Sequence, residues 1–169
     1  MPKYLSEVEL WLDRLYIAAE GAGLRQEDRR KACEVAAVLE EIERIASRFA
    51  RRSSLLLVDA AAGKSYIGLL AAKLVLDSRP TPASVLTIER ALPRVEASRR
   101  AAERLKASTP VECRQAGVEE AASWPIQPSI VTALHACGQA ADAIIDRVIA
   151  CEARALLLVP CCTSKAVTA

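Results

Sequence analysis

Two carboxylates and one histidine stand where apolar runs end. Leu55-Leu56-Leu57-Val58 stops at Asp59 and passes into the small-residue stretch Ala60-Ala61-Ala62-Gly63, with Lys64-Ser65-Tyr66 opening a helical pattern. Such a junction lets backbone N–H groups at the helix start approach a ligand closely. A second run, Val85-Leu86-Thr87-Ile88, stops at Glu89. In a doubly wound sheet, an acid there can accept both ribose hydroxyls of an adenosine-containing cofactor. A third, Val131-Thr132-Ala133-Leu134, leads into His135-Ala136-Cys137-Gly138 with the only histidine of the chain, and Leu156-Leu157-Leu158-Val159-Pro160 leads into Cys161-Cys162. Ligands bind at the carboxyl ends of strands in open α/β sheets, so these residues are candidates for one site. Histidine is the group suited to taking a proton near neutral pH.

The elements that must position these residues follow from the pattern. After Arg51-Arg52-Ser53-Ser54, apolar runs alternate with helix-length segments, the mark of βα repeats and a parallel sheet. Strands are expected at about 55–59, 84–89, 110–114, 129–134 and 154–159, and helices at about 66–77, 92–107 and 139–150. Pro93 fits a first helical turn, and Pro80 and Pro82 stop the helix before them. Upstream, Ser6 and Glu9 have capping-box spacing before the stripe Leu5, Val8, Leu12 and Leu15, and Gly21 and Gly23 end that helix. A second helix from Glu27 carries Val35, Val38, Leu39, Ile42, Ile45, Ala46 and Phe49 on one face. Residues 1–52 read as a helical extension and 53–165 as a cofactor-binding core within one domain, 1–169.

Other chemistries fit less well. Ala62-Gly63-Lys64-Ser65 looks like the end of a phosphate-binding loop, but Val58 stands where its first glycine belongs, and no strand supplies the Mg²⁺-binding Asp. His135, Cys137, Cys161 and Cys162 have the ligand types for zinc, yet adjacent cysteines seldom share one ion and C-x-x-C spacing is missing. No metal site is expected, and packed reduced thiols are the simpler reading. Cys161 as a nucleophile has only His135 as a base. Trp11, Trp124 and Tyr66 read as packing residues. The helix holding Arg94, Arg99, Arg100, Arg104 and Lys106 is interleaved with Glu96 and Glu103, a solvated surface.

Bulk composition agrees. Aromatics are 4% of 169 residues while hydrophobic residues reach 52%, an alanine-rich balance that suits helices packed on a sheet. A formal charge of +2 does not by itself point to nucleic acid. Six scattered cysteines and the lack of a signal-peptide pattern predict a reducing, cytoplasmic setting, and no apolar run is long enough to span a bilayer.

With these segments in view, the chain resembles the Rossmann-like S-adenosylmethionine-dependent methyltransferases. The resemblance is to a subgroup carrying a D-x-G-x-G-K-G-Y turn, a Leu-His-Ala-Cys-Gly segment and a Val-Pro-Cys-Cys segment, which includes RNA methyltransferase-like proteins. The corresponding stretches are Asp59 to Tyr66, Leu134 to Gly138 and Val159 to Cys162, with Ala61 and Ser65 in place of two glycines. The resemblance implies a three-layer α/β/α sandwich with parallel sheet order 3-2-1-4-5, lacking the last two strands, preceded by two helices. It implies S-adenosyl-L-methionine as cofactor, S-adenosyl-L-homocysteine as product, and an acceptor that is RNA, a protein side chain or a small molecule. Asp59, Ala61 and Gly63 would surround the amino-acid part, Glu89 the ribose, and Gln115 and Ala116 the adenine. His135, Ala136 and Cys137 would line the floor where the methyl leaves sulfur, with His135 and Cys137 as catalytic candidates. Ala61 tolerates its Cβ if φ is negative and crowds the turn if φ is positive. A fifth strand left at the edge predicts cover from a second copy of the chain or from the N-terminal helices. The alternative function is a non-catalytic module that binds cofactor weakly, or a partner through that edge.

Overall fold

A parallel sheet runs through the molecule in the order β3-β2-β1-β4-β5, as expected. The structure, a computed structural model, describes residues 1–160 except 19, 20, 22 and 50–52. Cys161 and Cys162 therefore lie outside the described residues, and with them the expected Pro-Cys-Cys contribution to the site. The strands are β1 (Leu55–Ala60), β2 (Ala83–Glu89), β3 (Val111–Gln115), β4 (Ile130–Leu134) and β5 (Leu156–Val159). The helices are α1 (Leu5–Leu12), α2 (Gln26–Ala46), α3 (Tyr66–Ala71), α4 (Leu92–Leu105) and α5 (Gln139–Ala150). Both α1 and α3 widen into a π turn, at Asp13–Ile17 and Ala72–Leu76.

Strands buried on both faces must be covered on both. On one face, Leu55, Leu57, Val85 and Ile130 pack with Val8 and Leu12 of α1, Val35, Leu39 and Ile42 of α2, Leu69 and Leu70 of α3, and Leu105 of α4. On the other, Val58, Ile88, Val131 and Ala133 pack with Ile144 of α5 and with Trp124, whose Nε1–H donates to the Val118 carbonyl at 2.8 Å. The N-terminal helices are thus part of the core. Leu157 and Val159 of β5 pack against the α1–α4 side, and Leu156 and Leu158 against the α5 side. Both faces of β5 are partly covered; among the described residues no strand pairs with its outer edge.

Two local expectations need correction. The Ser6–Glu9 capping box does not form: α1 begins at Leu5, and Val8 N–H donates to the carbonyl of Tyr4, a buried residue that fixes the start earlier. The reciprocal acid sits instead at α2, where Asp28 accepts the Arg25 N–H at 2.9 Å. The second helix stops at Ala46, leaving Phe49 beyond it under the Arg154 guanidinium at 4.2 Å. The basic face of α4 is solvated, as expected: Arg94, Arg99, Arg100, Arg104 and Lys106 are all exposed, and Arg99 and Arg104 also donate to the carbonyls of Cys113 and Leu15.

Candidate active site

The order reverses between β1 and β4, and the turns leaving these two strands lie at the same edge of the sheet. The first turn is left-handed three times, at Ala61 (φ 53°), Gly63 (φ 59°) and Ser65 (φ 57°). Ala61 thus falls on the unfavourable side of the sequence expectation: a residue with a Cβ holds a conformation that costs about 1–2 kcal/mol. Two buried acids hold this turn. Asp59 accepts the Gly68 N–H at 2.8 Å, while Glu89 accepts the Gly63 and Ala91 N–H groups, each at 2.9 Å. Arg94 approaches Glu89 at 3.9 Å.

Gly68 was not marked by sequence reasoning. A Cβ there would stand 2.7 Å from Thr87 Cγ2 and 3.1 Å from Asp59 Oδ2, so the missing side chain is what lets α3 sit down on β1 and β2. The available signal was an isolated glycine inside an apolar helical run. Asp59 is almost wholly buried; desolvation pushes its carboxyl up to about 7, against the Gly68 N–H and with help from the nearby Glu89 charge.

The second turn is built differently. His135 is also left-handed (φ 65°), its N–H donates to the Val159 carbonyl of β5, and Gly138 (φ 57°, ψ −135°) starts α5 in a region that only glycine visits freely. His135 Nε2 lies 2.9 Å from Glu34 Oε2 of α2, and both side chains are about half exposed. A carboxylate only accepts, so in the neutral ring this pairing puts the proton on Nε2 and leaves Nδ1 as the proton acceptor.

Between the turns lies a cleft of about 770 Å³ whose walls include Ala61, Glu89, Ala116, His135, Ala136 and Cys137. That size suits a ligand larger than a single metabolite fragment. Six of the expected site residues thus converge. Gln115 does not: it pairs with Glu89 in register, but its side chain is exposed and Ala116 and Val118 form the wall. Asp59 and Gly63 face a smaller adjoining cavity of about 360 Å³, which meets the cleft at Ala61, Arg94 and His135. Lys31, Lys64 and Tyr66 also line the smaller cavity; the sequence marked Lys64 and Tyr66 only as part of the turn motif, with Tyr66 read as packing, and did not mark Lys31.

A methyltransferase-domain family model matches residues 30–168. The chain belongs to that family. Among solved structures it is similar in fold to magnesium protoporphyrin IX methyltransferase (ChlM) from Synechocystis PCC 6803 with bound S-adenosylhomocysteine (TM-score 0.55, 15% identity), covering 92% of this chain and 67% of that one. It is also similar to the S-adenosylhomocysteine-bound methyltransferase PaMTH1 of Podospora anserina (TM-score 0.53, 13% identity; 90% of this chain, 58% of that one). A third is the precorrin-6y C5,15-methyltransferase of Geobacter metallireducens GS-15 (TM-score 0.50, 19% identity), with 73% of this chain covering 57% of that one. The chain therefore spans roughly three fifths of the length of such relatives. No curated protein matches it. Among the described residues, no helix is long and apolar enough to cross a membrane.

Proposed function

We propose that the cleft binds S-adenosyl-L-methionine and that the chain is a methyltransferase. The observation that carries this reading is Glu89, a buried carboxylate at the end of β2 that faces the cleft beside the Ala61–Gly63 turn. Two carboxylate oxygens offer about four acceptor positions, so the two backbone N–H groups already bound leave capacity for ribose hydroxyls. Ala116 and Val118 supply a flat apolar wall for adenine, with Gln115 at its outer rim. Two of the similar structures, ChlM and PaMTH1, hold S-adenosylhomocysteine, which supports the same ligand here.

When bound, the cofactor supplies an electrophilic methyl group, a chemistry that asks the protein mainly for alignment. In this chain His135 carries its ring at the junction of the two cavities, with Nδ1 free to take a proton from the acceptor while Glu34 holds Nε2. Ala136 and Cys137 line the same end of the cleft and position the acceptor. RNA is the acceptor class the family resemblance favours. A reducing cytoplasmic setting accords with the free thiols of Cys33, Cys113 and Cys151. The outer edge of β5, unpaired among the described residues, supports pairing with a second copy of the chain.

Calorimetry with S-adenosylhomocysteine tests the reading. Micromolar binding by wild type that falls at least tenfold in Glu89→Ala, with the variant's fold checked by circular dichroism, is the expected result. No binding by wild type overturns it. A second reading, a module that binds without catalysis, is favoured by Ala61 and Ser65 at left-handed positions, where glycine would let a ligand come closer. Binding of S-adenosylhomocysteine without turnover, unchanged in His135→Ala, would select it.

A further inference from the structure

The smaller cavity has a charge pattern that the reaction above does not use. Lys31 from α2, Lys64 from the first turn and Arg94 from α4 all line it, against Asp59 as the one acid. Asp59 cannot serve as their counterion at close range. It is buried, its Oδ2 accepts the Gly68 N–H, and among the described residues no lysine or arginine comes within ion-pair distance of it. Arg94 has Glu89 nearby at 3.9 Å. Lys31 and Lys64 form no salt bridge with a carboxylate among the described residues, although Lys31 lies near enough to Asp28 to help hold that carboxyl down.

Their ammonium groups are placed by aromatic rings instead. Lys31 Nζ lies 5.1 Å from the centre of the Tyr66 ring and Lys64 Nζ lies 5.9 Å from that of Tyr16. The two rings pack edge to face at 4.7 Å, and the Tyr16 hydroxyl donates to the Lys64 carbonyl at 2.7 Å. A ring face steadies a cation without neutralising it and leaves its N–H donors available. The result is a pair of half-buried ammonium groups, each over a ring and outside any salt bridge among the described residues, around a cavity of about 360 Å³ that opens into the cleft at His135. Flexible solvated lysines would not need such a frame.

We propose that Lys31 and Lys64 form an oxyanion subsite that takes a carboxylate or a phosphate group next to the methyl-transfer position. The inference rests on the cofactor reading for one of its two sources. The anion can be the cofactor's own α-carboxylate, since Asp59 and Gly63, the turn residues expected around its amino-acid part, line the same cavity. It can equally be a phosphate or carboxylate on the acceptor. The first case makes the N-terminal helix α2 a part of the cofactor site, and the second makes the acceptor an anionic molecule.

The test uses the full chain and three probes: S-adenosylhomocysteine, 5′-methylthioadenosine, which has the same adenosyl thioether without the amino-acid carboxylate, and inorganic phosphate. The variants are Lys31→Ala with Lys64→Ala, and the charge-preserving Lys31→Arg with Lys64→Arg. If the cofactor's carboxylate occupies the subsite, the alanine pair weakens S-adenosylhomocysteine roughly ten- to hundredfold, the arginine pair restores most of that, and 5′-methylthioadenosine changes less than about twofold. If an acceptor oxyanion occupies it, S-adenosylhomocysteine is unaffected, and phosphate binding followed by ³¹P NMR is present in wild type and lost in the alanine pair. Unchanged affinities for S-adenosylhomocysteine and phosphate in a folded alanine pair overturn the proposal. Should neither adenosyl compound bind wild type, the cofactor reading fails, and the phosphate arm still decides the subsite: loss of binding in the alanine pair supports it, and no binding by wild type overturns it.

Discussion

The two turns that flank the cleft solve the same problem with different means. After β1, three left-handed residues are held by acids that belong to the sheet itself: Asp59 from β1 grips Gly68, and Glu89 from β2 grips Gly63 and Ala91. After β4, left-handed His135 is held from outside, by the edge strand through Val159 and by the N-terminal helix through half-exposed Glu34. The first turn is set by buried groups that cannot be rearranged without unfolding the centre of the sheet. The second depends on half-exposed neighbours, at the place where the proposed reaction would move a proton. On that proposal, the difference teaches a rigid cofactor side and an adjustable acceptor side.

Titration would break the comparison most severely. The Asp59 carboxyl is raised to about 7 in the folded chain and returns to about 3.8 in the unfolded one. Between those values the native state keeps a proton that the unfolded state releases, so this group's contribution to stability falls as pH rises and levels off above about 7. The stability of Asp59→Asn relative to wild type is expected to improve by up to about 4 kcal/mol from pH 4 to pH 8, read by denaturant unfolding across that range. A difference that is flat with pH would show that the first turn is not held by a protonatable buried group.

Next comes Gly68→Ala, which must displace the branched Thr87 side chain or lift α3 from the sheet. A loss of about 2–3 kcal/mol is expected, visible as a lowered thermal midpoint. Ala61→Gly works in the opposite direction, relieving a left-handed residue for a gain near 1 kcal/mol, less what the freer unfolded chain takes back. The same melt measures it, and destabilisation would mean that the Ala61 Cβ contributes packing that outweighs its strain. Smallest is Glu34→Ala in the second turn, expected to cost under about 1 kcal/mol because the pair is half exposed, while changing turnover if His135 moves the proton. A loss as large as that of Gly68→Ala would erase the distinction between the turns.

The sheet and its order were legible because buried parallel strands announce themselves as apolar runs, and the acids and histidine closing them gave the site its location. Asp59, Glu89, His135 and Cys137 could be picked out by their position at strand ends. Lys31 and Glu34 could not. They lie in a helix whose apolar stripe is plain but whose polar face gives no sign of which residues turn toward another element's site. The left-handed state of Ala61 was also hidden, since alanine says nothing of φ, and the role of Gly68 needs the distance to Thr87. The bounds of β5 were read two residues too early, at 154, because Ala155 continues the apolar run that Leu156 begins as a strand.

The strand order has a consequence for how the chain is made. β1 finds β2 soon after it leaves the ribosome, but its other edge pairs with β4, near Ile130, far later in synthesis. Until then a strand buried at the centre of the finished sheet waits with one row of backbone groups unmet, and the nascent chain is exposed to wrong partners while the intervening elements are made.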